Sequence, residues 1–85
     1  MFVRLRNSAP ITEAWQHNGQ MALAPLWVKA STIDRPHELI LDRNSGRQLV
    51  NLGEWLVRDL DGSPLWLTSD DFYRDYEILT GRKTS

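Results

Sequence analysis

Residues 54–68 read EWLVRDLDGSPLWLT, and this stretch decides the fold that the chain is expected to adopt. Two runs rich in strand-forming residues, 54–59 and 64–68, flank Asp61-Gly62, a dipeptide suited to the type I′ turn of a tight hairpin. If these two residues form the loop, Val57 lies opposite Trp66. The stretch therefore predicts a β-hairpin whose register places Val57 against Trp66.

Both faces of this hairpin are apolar in the expected register. One face carries Trp55, Val57 and Trp66, and the other carries Leu56, Leu65 and Leu67. A strand pair of this kind is either central in its sheet and covered on both sides, which is the favoured interpretation, or it presents one face to a partner. The assignment depends on the register, because a slip of one residue exchanges the faces.

The sequence on either side of this stretch predicts further short strands. A second hairpin is expected from residues 38–42 and 47–51, with Gly46 in a left-handed conformation closing the loop 44–46. Earlier strands are expected at 2–6 and 11–17, the latter ending at the turn dipeptide Asn18-Gly19.

Two helix signals complete the pattern. Pro25 suits the first turn of a short helix within residues 24–31. Ser69 is expected to be the N-cap of a second helix, since Asp70 and Asp71 follow it and favour a helix N-terminus. A last short strand is expected at 76–79, and the tail 81–85 is expected to fray. We therefore expect one compact α+β domain over residues 1–85, with a small antiparallel sheet of about four to six short strands built from hairpins and two short helices.

Length and composition exclude several classes of protein. The chain has 85 residues, 41% of them hydrophobic, which is enough for one small core and too few for a two-domain enzyme. Ten basic residues stand against eleven acidic ones, a balance untypical of a nucleic-acid-binding protein. With no cysteine, no signal peptide and no run of apolar residues that could cross a bilayer, we expect a cytoplasmic protein without disulfides.

Motifs for catalysis, metal or cofactor binding are not found in the sequence. His17 and His37 lie far apart without partners at metal-ligand spacing, and a calcium loop around Gly62 fails because Val57 and Thr68 occupy its first and twelfth positions. Phosphate-binding and nucleophile-elbow motifs do not occur either. The expectation is therefore a protein that is not an enzyme and uses no cofactor.

Charge is unevenly distributed along the chain. Residues 54–77 carry seven acidic and two basic side chains, so the acidity gathers on the segment that holds Trp55 and Trp66. A solvated face that keeps the hairpin soluble is the favoured explanation. The alternative is a docking surface for a protein partner, in which apolar anchors are rimmed by acidic groups. The candidate protein-binding residues are then Trp66, Trp55, Asp59, Asp61 and Asp70.

Four segments, taken in order, resemble a family of small tailed-phage and prophage proteins. They are EAWQHNG at 13–19, PLWVKA at 25–30, LGEWLVR at 52–58 and DFYRDYE at 71–77. The family shows an E-A-x-Q-W strand, a P-x-W-[LV] helix, a P-G-D-[WY]-[IL] strand, a G-E-F strand and an I-F-x-x-x-Y-E ending. This chain departs from it at His17, in place of a tryptophan, at Leu52 and Glu54, in place of Pro and Asp, and at 63–65, in place of G-E-F.

The resemblance spans about residues 9–79 and implies a context rather than an activity. It implies a phage or prophage accessory protein in the bacterial cytoplasm, on a compact α+β domain, and it favours a packing role for His17. The main hypothesis is a non-enzymatic module that binds a host or phage protein, and the alternative is a self-associating component of a phage assembly, a homo-oligomer. A small hydrolase or a nucleic-acid-binding protein ranks below both.

Overall fold

The computed structural model describes residues 1–6, 11–36, 38–43, 46–59 and 62–79. These residues form two antiparallel sheets and two α-helices, which confirms the α+β class built from hairpins. The strands of the described part are β1 Phe2–Leu5, β2 Ile11–Gln16, β3 Thr32–Arg35, β4 Glu38–Arg43, β5 Gly46–Val50, β6 Trp55–Arg58, β7 Pro64–Leu67 and β8 Tyr76–Leu79. The helices are α1 Leu26–Ser31 and α2 Ser69–Asp75, with a 3₁₀ helix at Met21–Leu23.

The single sheet of about four to six strands that was predicted is in fact two sheets with eight strands among the described residues. The five-stranded sheet is ordered β7-β6-β2-β1-β8, and the three-stranded sheet is ordered β3-β4-β5. Strand β3 was not predicted from the sequence. It follows α1 without a glycine or proline between them, and Thr32 at the helix end already has extended backbone angles. The hairpin β4–β5 was predicted, but the expected loop 44–46 is wrong, because Gly46 is the first residue of β5 and pairs with Arg43. Its φ of 130° is one that a glycine allows.

The predicted register of the β6–β7 hairpin is wrong by one residue. Val57 pairs with Leu65, and Leu56 pairs with Trp66. The reason is the loop length, since the Asp59 N–H donates to the Ser63 carbonyl at 2.8 Å and leaves three residues between them instead of two. Trp66 therefore shares a face with Leu56, whereas Trp55, Val57, Leu65 and Leu67 share the other face.

Each face of the five-stranded sheet contributes to a different hydrophobic core. Helix α2 covers the first face, which we call the helix-covered face, and Phe72 packs there against Val3, Ala14, Trp55 and Val57. On the opposite face, Trp15, Leu56 and Trp66 pack against α1 and the inward side of the three-stranded sheet, which supplies Leu39, Leu41 and Val50. Both hairpin faces are thus covered, as the favoured interpretation expected, but the hairpin is not central in its sheet, because β7 is an end strand.

The start of α2 differs from the prediction by one position. Thr68 is the N-cap, and its hydroxyl accepts a hydrogen bond from the Asp71 N–H at 3.2 Å. Ser69 is already helical, and its hydroxyl donates instead to the carbonyl of Gly53. Asp70 and Asp71 lie in the first turn, as predicted.

Some predicted features fall on residues outside the described ranges. These are the turn residues Asn44 and Ser45, His37, Asp61 and the tail 81–85.

Candidate functional site

Trp55 is a core residue and is not available to a partner, so its prediction as a binding anchor is corrected. Its side chain is 1% exposed. The indole ring stacks on Phe72 with a centroid separation of 3.8 Å and an interplanar angle of 4°, and Tyr73 meets it edge-on at 5.8 Å. The pairing of β6 with β2 places Trp55 on the helix-covered face, where the aromatic side chains of α2 cover it.

Trp66, the other predicted anchor, is half-buried and packs against the core beneath α1. Its indole Nε1–H donates a hydrogen bond to Glu54 Oε1 at 3.0 Å. The same carboxylate oxygen accepts the backbone N–H of Asn51 at 2.8 Å. Trp66 therefore joins β7 to the loop between β5 and β6 rather than offering its polar atom to a partner.

The loop that carries Glu54 links several elements through its backbone. Gly53, with a φ of 89°, donates its N–H to the His17 carbonyl at 2.9 Å, and its own carbonyl accepts the side chains of Gln16 and Ser69. The His17 N–H in turn donates to the Glu54 carbonyl at 2.9 Å. Residues 53 and 54 thus hold the end of β2 and the start of α2 in place, a structural role that the sequence did not reveal.

We expect Trp66→Phe to lower the free energy of unfolding by about 1.5 to 3 kcal/mol, because it removes one hydrogen bond to a charged acceptor, while a smaller aromatic ring remains in place of the indole. Glu54→Ala should cost more, since the Asn51 N–H loses its acceptor as well. Urea unfolding of both variants and of the double variant measures this directly. In the Trp66→Phe background, Glu54→Ala should cost less than it does in the wild type, and strictly additive losses would show that the contact contributes nothing.

The predicted acidic residues do not form one rim around the tryptophans. Asp70 is exposed in the first turn of α2, on the helix-covered side of the sheet. Asp59 is exposed beyond the end of β6 and lies beside a different set of apolar residues. Asp61 lies outside the described residues. The structure therefore separates Asp59 from Asp70, two of the acidic residues that were expected to form one rim.

Asp59 borders a depression of about 500 Å³ on the half of the opposite face that the three-stranded sheet leaves uncovered. Two large apolar side chains line it: Phe2 is 62% exposed and Ile11 is 59% exposed. The pairings of Phe2 with Glu13 and of Arg4 with Ile11 place both on this face. Glu13, Arg58 and Asp59 supply charge around them. We call this the Phe2–Ile11 depression.

The sequence contained a weak signal for this surface. Ile11, Glu13 and Trp15 alternate along β2 and therefore share a face. Of these three residues, Trp15 is the one that is buried in a hydrophobic core, because α1 and the three-stranded sheet cover its end of β2. They do not cover the end that holds Ile11. The alternating pattern alone could not show how much of this face α1 and the three-stranded sheet would bury.

His17 lines a second depression, of about 410 Å³, between the end of β2 and the β3–β4 turn, with Asp34, Arg35 and Glu38 also lining it. His17 is half-buried, and the centroid of its imidazole ring lies 5.5 Å from that of the Trp15 ring. Burial lowers the pKa of the imidazole below its ordinary value, against the opposing effect of the Asp34 and Glu54 carboxylates. No group of three His, Asp or Glu side chains suited to a metal ion occurs among the described residues.

None of the helices in the described ranges combines the length and apolar character of a membrane span. No protein-family model matches the chain, and neither the curated proteins nor the solved structures contain a match.

Proposed function

We propose that the protein is a non-enzymatic binding module that holds another protein in the Phe2–Ile11 depression. The observation that carries this proposal is the exposure of two large apolar side chains at diagonal positions of β1 and β2, on the same face of the sheet. Adjacent exposed apolar groups rimmed by charge are the usual composition of a protein-binding patch. Glu13, Arg58 and Asp59 provide both signs of charge at its rim, which suits orientation of a partner.

The lining of this depression favours binding over catalysis. Among the residues that line the depression, Thr12 carries a hydroxyl group, and this hydroxyl already donates a hydrogen bond to the backbone carbonyl of Arg58. A nucleophile instead needs a base positioned to take its proton. The remaining side chains offer apolar contact and charge, which are the requirements of recognition.

The motif resemblance supplies the context of the proposal. A small phage or prophage accessory protein acts in the bacterial cytoplasm on a host protein or on another phage protein, and the proposed partner belongs to one of these two groups. The depression, rather than the hairpin of Trp55 and Trp66, is the part of the molecule through which this partner would bind.

The test compares the double variant Phe2→Ser/Ile11→Ser with the wild type in quantitative pull-downs from bacterial lysate. Leu23→Ser/Leu26→Ser is the matched control, since these residues are also exposed, at 76% and 81%, but lie at the 3₁₀ helix and α1. We expect the wild type and the control to retain the same partner and the Phe2/Ile11 variant to lose about 90% or more of it, as for loss of a central apolar anchor.

Circular dichroism of each variant establishes that the fold is retained. Equal partner yield from both double variants, or no protein retained above background by the wild type, would overturn the proposal.

A further inference from the structure

The depression lined by His17, which we call the His17 depression, has the size and the lining of a binding site. Its volume of about 410 Å³ falls in the range of roughly 300 to 1,000 Å³ that is usual for ligand pockets. Residues from the end of β2, the 3₁₀ helix, the β3–β4 turn and the end of β5 line it. Leu49 and Leu52, which are 44% and 70% exposed, give it apolar side chains that are open to contact.

Asp34 brings an acidic group to this depression from the inward side of the three-stranded sheet. Asp34 pairs with Leu39, and Leu39 pairs with Val50, so the three side chains share one face. Leu39 and Val50 are buried on that face, whereas Asp34 is exposed and lines the depression. Its carboxylate forms no ion pair with a lysine or arginine in the part of the chain that the structure describes. The depression therefore holds a negative charge that is not paired with a cation.

The basic side chains nearby do not balance this charge. Arg35 also lines the depression, but it forms an ion pair with Glu38 at 3.5 Å, and the two are paired on the outward side of the sheet. Lys29 of α1 lines a neighbouring depression together with Asp34. Its Nζ donates to the Ala22 carbonyl at 3.1 Å and lies beyond ion-pair distance of the Asp34 carboxylate. A cation that enters the His17 depression would thus find Asp34 available.

His17 adds an uncharged ring, and Glu54 behind it adds a second negative charge. Burial lowers the pKa of the imidazole, against the opposing effect of the Asp34 and Glu54 carboxylates, so the ring is neutral at pH 7. Its Nδ1 accepts the Gly19 N–H at 3.4 Å, as only an unprotonated ring nitrogen can. The Glu54 carboxylate accepts hydrogen bonds from uncharged N–H groups, which leave its charge in place. The potential around the depression is therefore negative.

We propose that the His17 depression binds the side chain of an arginine from a partner protein. Arginine combines an apolar stem, which Leu49 and Leu52 would contact, with a cationic head for Asp34. Its planar guanidinium offers two parallel N–H groups to a carboxylate and is less strongly hydrated than an ammonium group. An acidic side chain would be repelled by Asp34 and Glu54, so charge complementarity selects the occupant.

The inference does not rest on the proposed function, because the described residues that line the His17 depression and the Phe2–Ile11 depression are different. The probe is arginine capped as its N-acetyl methylamide, and the matched neutral probe is the same derivative of citrulline. Titration of the isotope-labelled protein, followed by NMR, should show saturable shifts of the amide signals of residues 34, 49 and 52. The citrulline probe should bind about tenfold more weakly or worse, because it lacks the charge that Asp34 would pair with.

Two substitutions of one chemical type test the role of Asp34. Asp34→Asn should weaken binding of the arginine probe about tenfold. Asp42→Asn is the control, because Asp42 lies on the outward side of the same sheet with Arg47 as its partner, and this variant should bind as the wild type does. The variant Phe2→Ser/Ile11→Ser should also bind the probe normally, so failure of the proposed function and failure of this inference are distinguishable.

The pH dependence tests whether His17 borders the bound guanidinium. Lowering the pH from about 7.5 to about 5 protonates the imidazole and should weaken binding of the arginine probe about threefold or more, because like charges repel. His17→Gln should change its affinity less than about twofold over the same range. Equal affinity for the two probes, undiminished binding by Asp34→Asn, or a pH response that survives in His17→Gln overturns the inference.

Discussion

Replacing Trp55 with alanine is expected to lower the free energy of unfolding by about 3 to 5 kcal/mol, the loss typical of a large buried aromatic ring. The ring is buried, stacks on Phe72 and fills the space between the sheet and α2. Small domains are stable by about 5 to 15 kcal/mol in total, so the variant should be partly unfolded at moderate urea concentrations where the wild type is folded. Urea denaturation followed by circular dichroism measures the change.

Trp55→Phe is the matched control for this prediction. It keeps an aromatic ring to stack on Phe72 and removes the indole Nε1–H, which is buried and finds no acceptor within the described part of the chain. Removing a buried donor without a partner offsets some of the lost packing, so the phenylalanine variant should lose less stability than the alanine variant. Equal losses would mean that the ring does not pack as described.

Leu56→Ala is expected to cost about 2 to 5 kcal/mol, although Leu56 contributes to the other core. Leu56 is fully buried between the five-stranded sheet and the elements formed by α1, β4 and β5. It lies next to Trp55 on β6, so the same strand carries one core on each face. We therefore expect both variants to shift a single unfolding transition.

Two probes test whether the cores unfold together. Tryptophan fluorescence and far-ultraviolet circular dichroism should give coincident urea transitions for Leu56→Ala, as two-state unfolding requires. Separate transitions would show that the three-stranded sheet unfolds independently and that β6 does not couple the two cores. The exposed Leu49→Ala, on the outer side of β5, should change stability by less than about 0.5 kcal/mol and serves as the control.

Most strands could be predicted because turn residues mark their ends. Gly46 marks the start of β5, and Asp70 and Asp71 mark the first turn of α2, although the N-cap is Thr68 and not the predicted Ser69. Strand β3 was missed because no such signal separates it from α1, and its extended form depends on pairing with β4. Local chemistry reveals an element only where that element carries its own boundary signal.

The candidate site was the least predictable part of the molecule. The tryptophans drew attention as large apolar groups, yet Trp55 is enclosed by α2 and Trp66 is held against the second core with its N–H bonded to Glu54. Phe2 and Ile11 are ordinary strand residues in the sequence. They become candidates only because α1 and the three-stranded sheet, which pack on the same face of the five-stranded sheet, leave Phe2 and Ile11 exposed.

The sequence by itself determined the α+β class, the hairpins and both short helices, because strand periodicity, turn glycines and helix capping act over a few neighbouring residues. The tertiary structure decided the register of residues 54–68 and the roles of their tryptophans. A hairpin that is apolar on both faces has no preferred register in its pattern, so a loop one residue longer was enough to exchange the faces. Which face was then buried, and how far, depended on α2 and the three-stranded sheet packing against it.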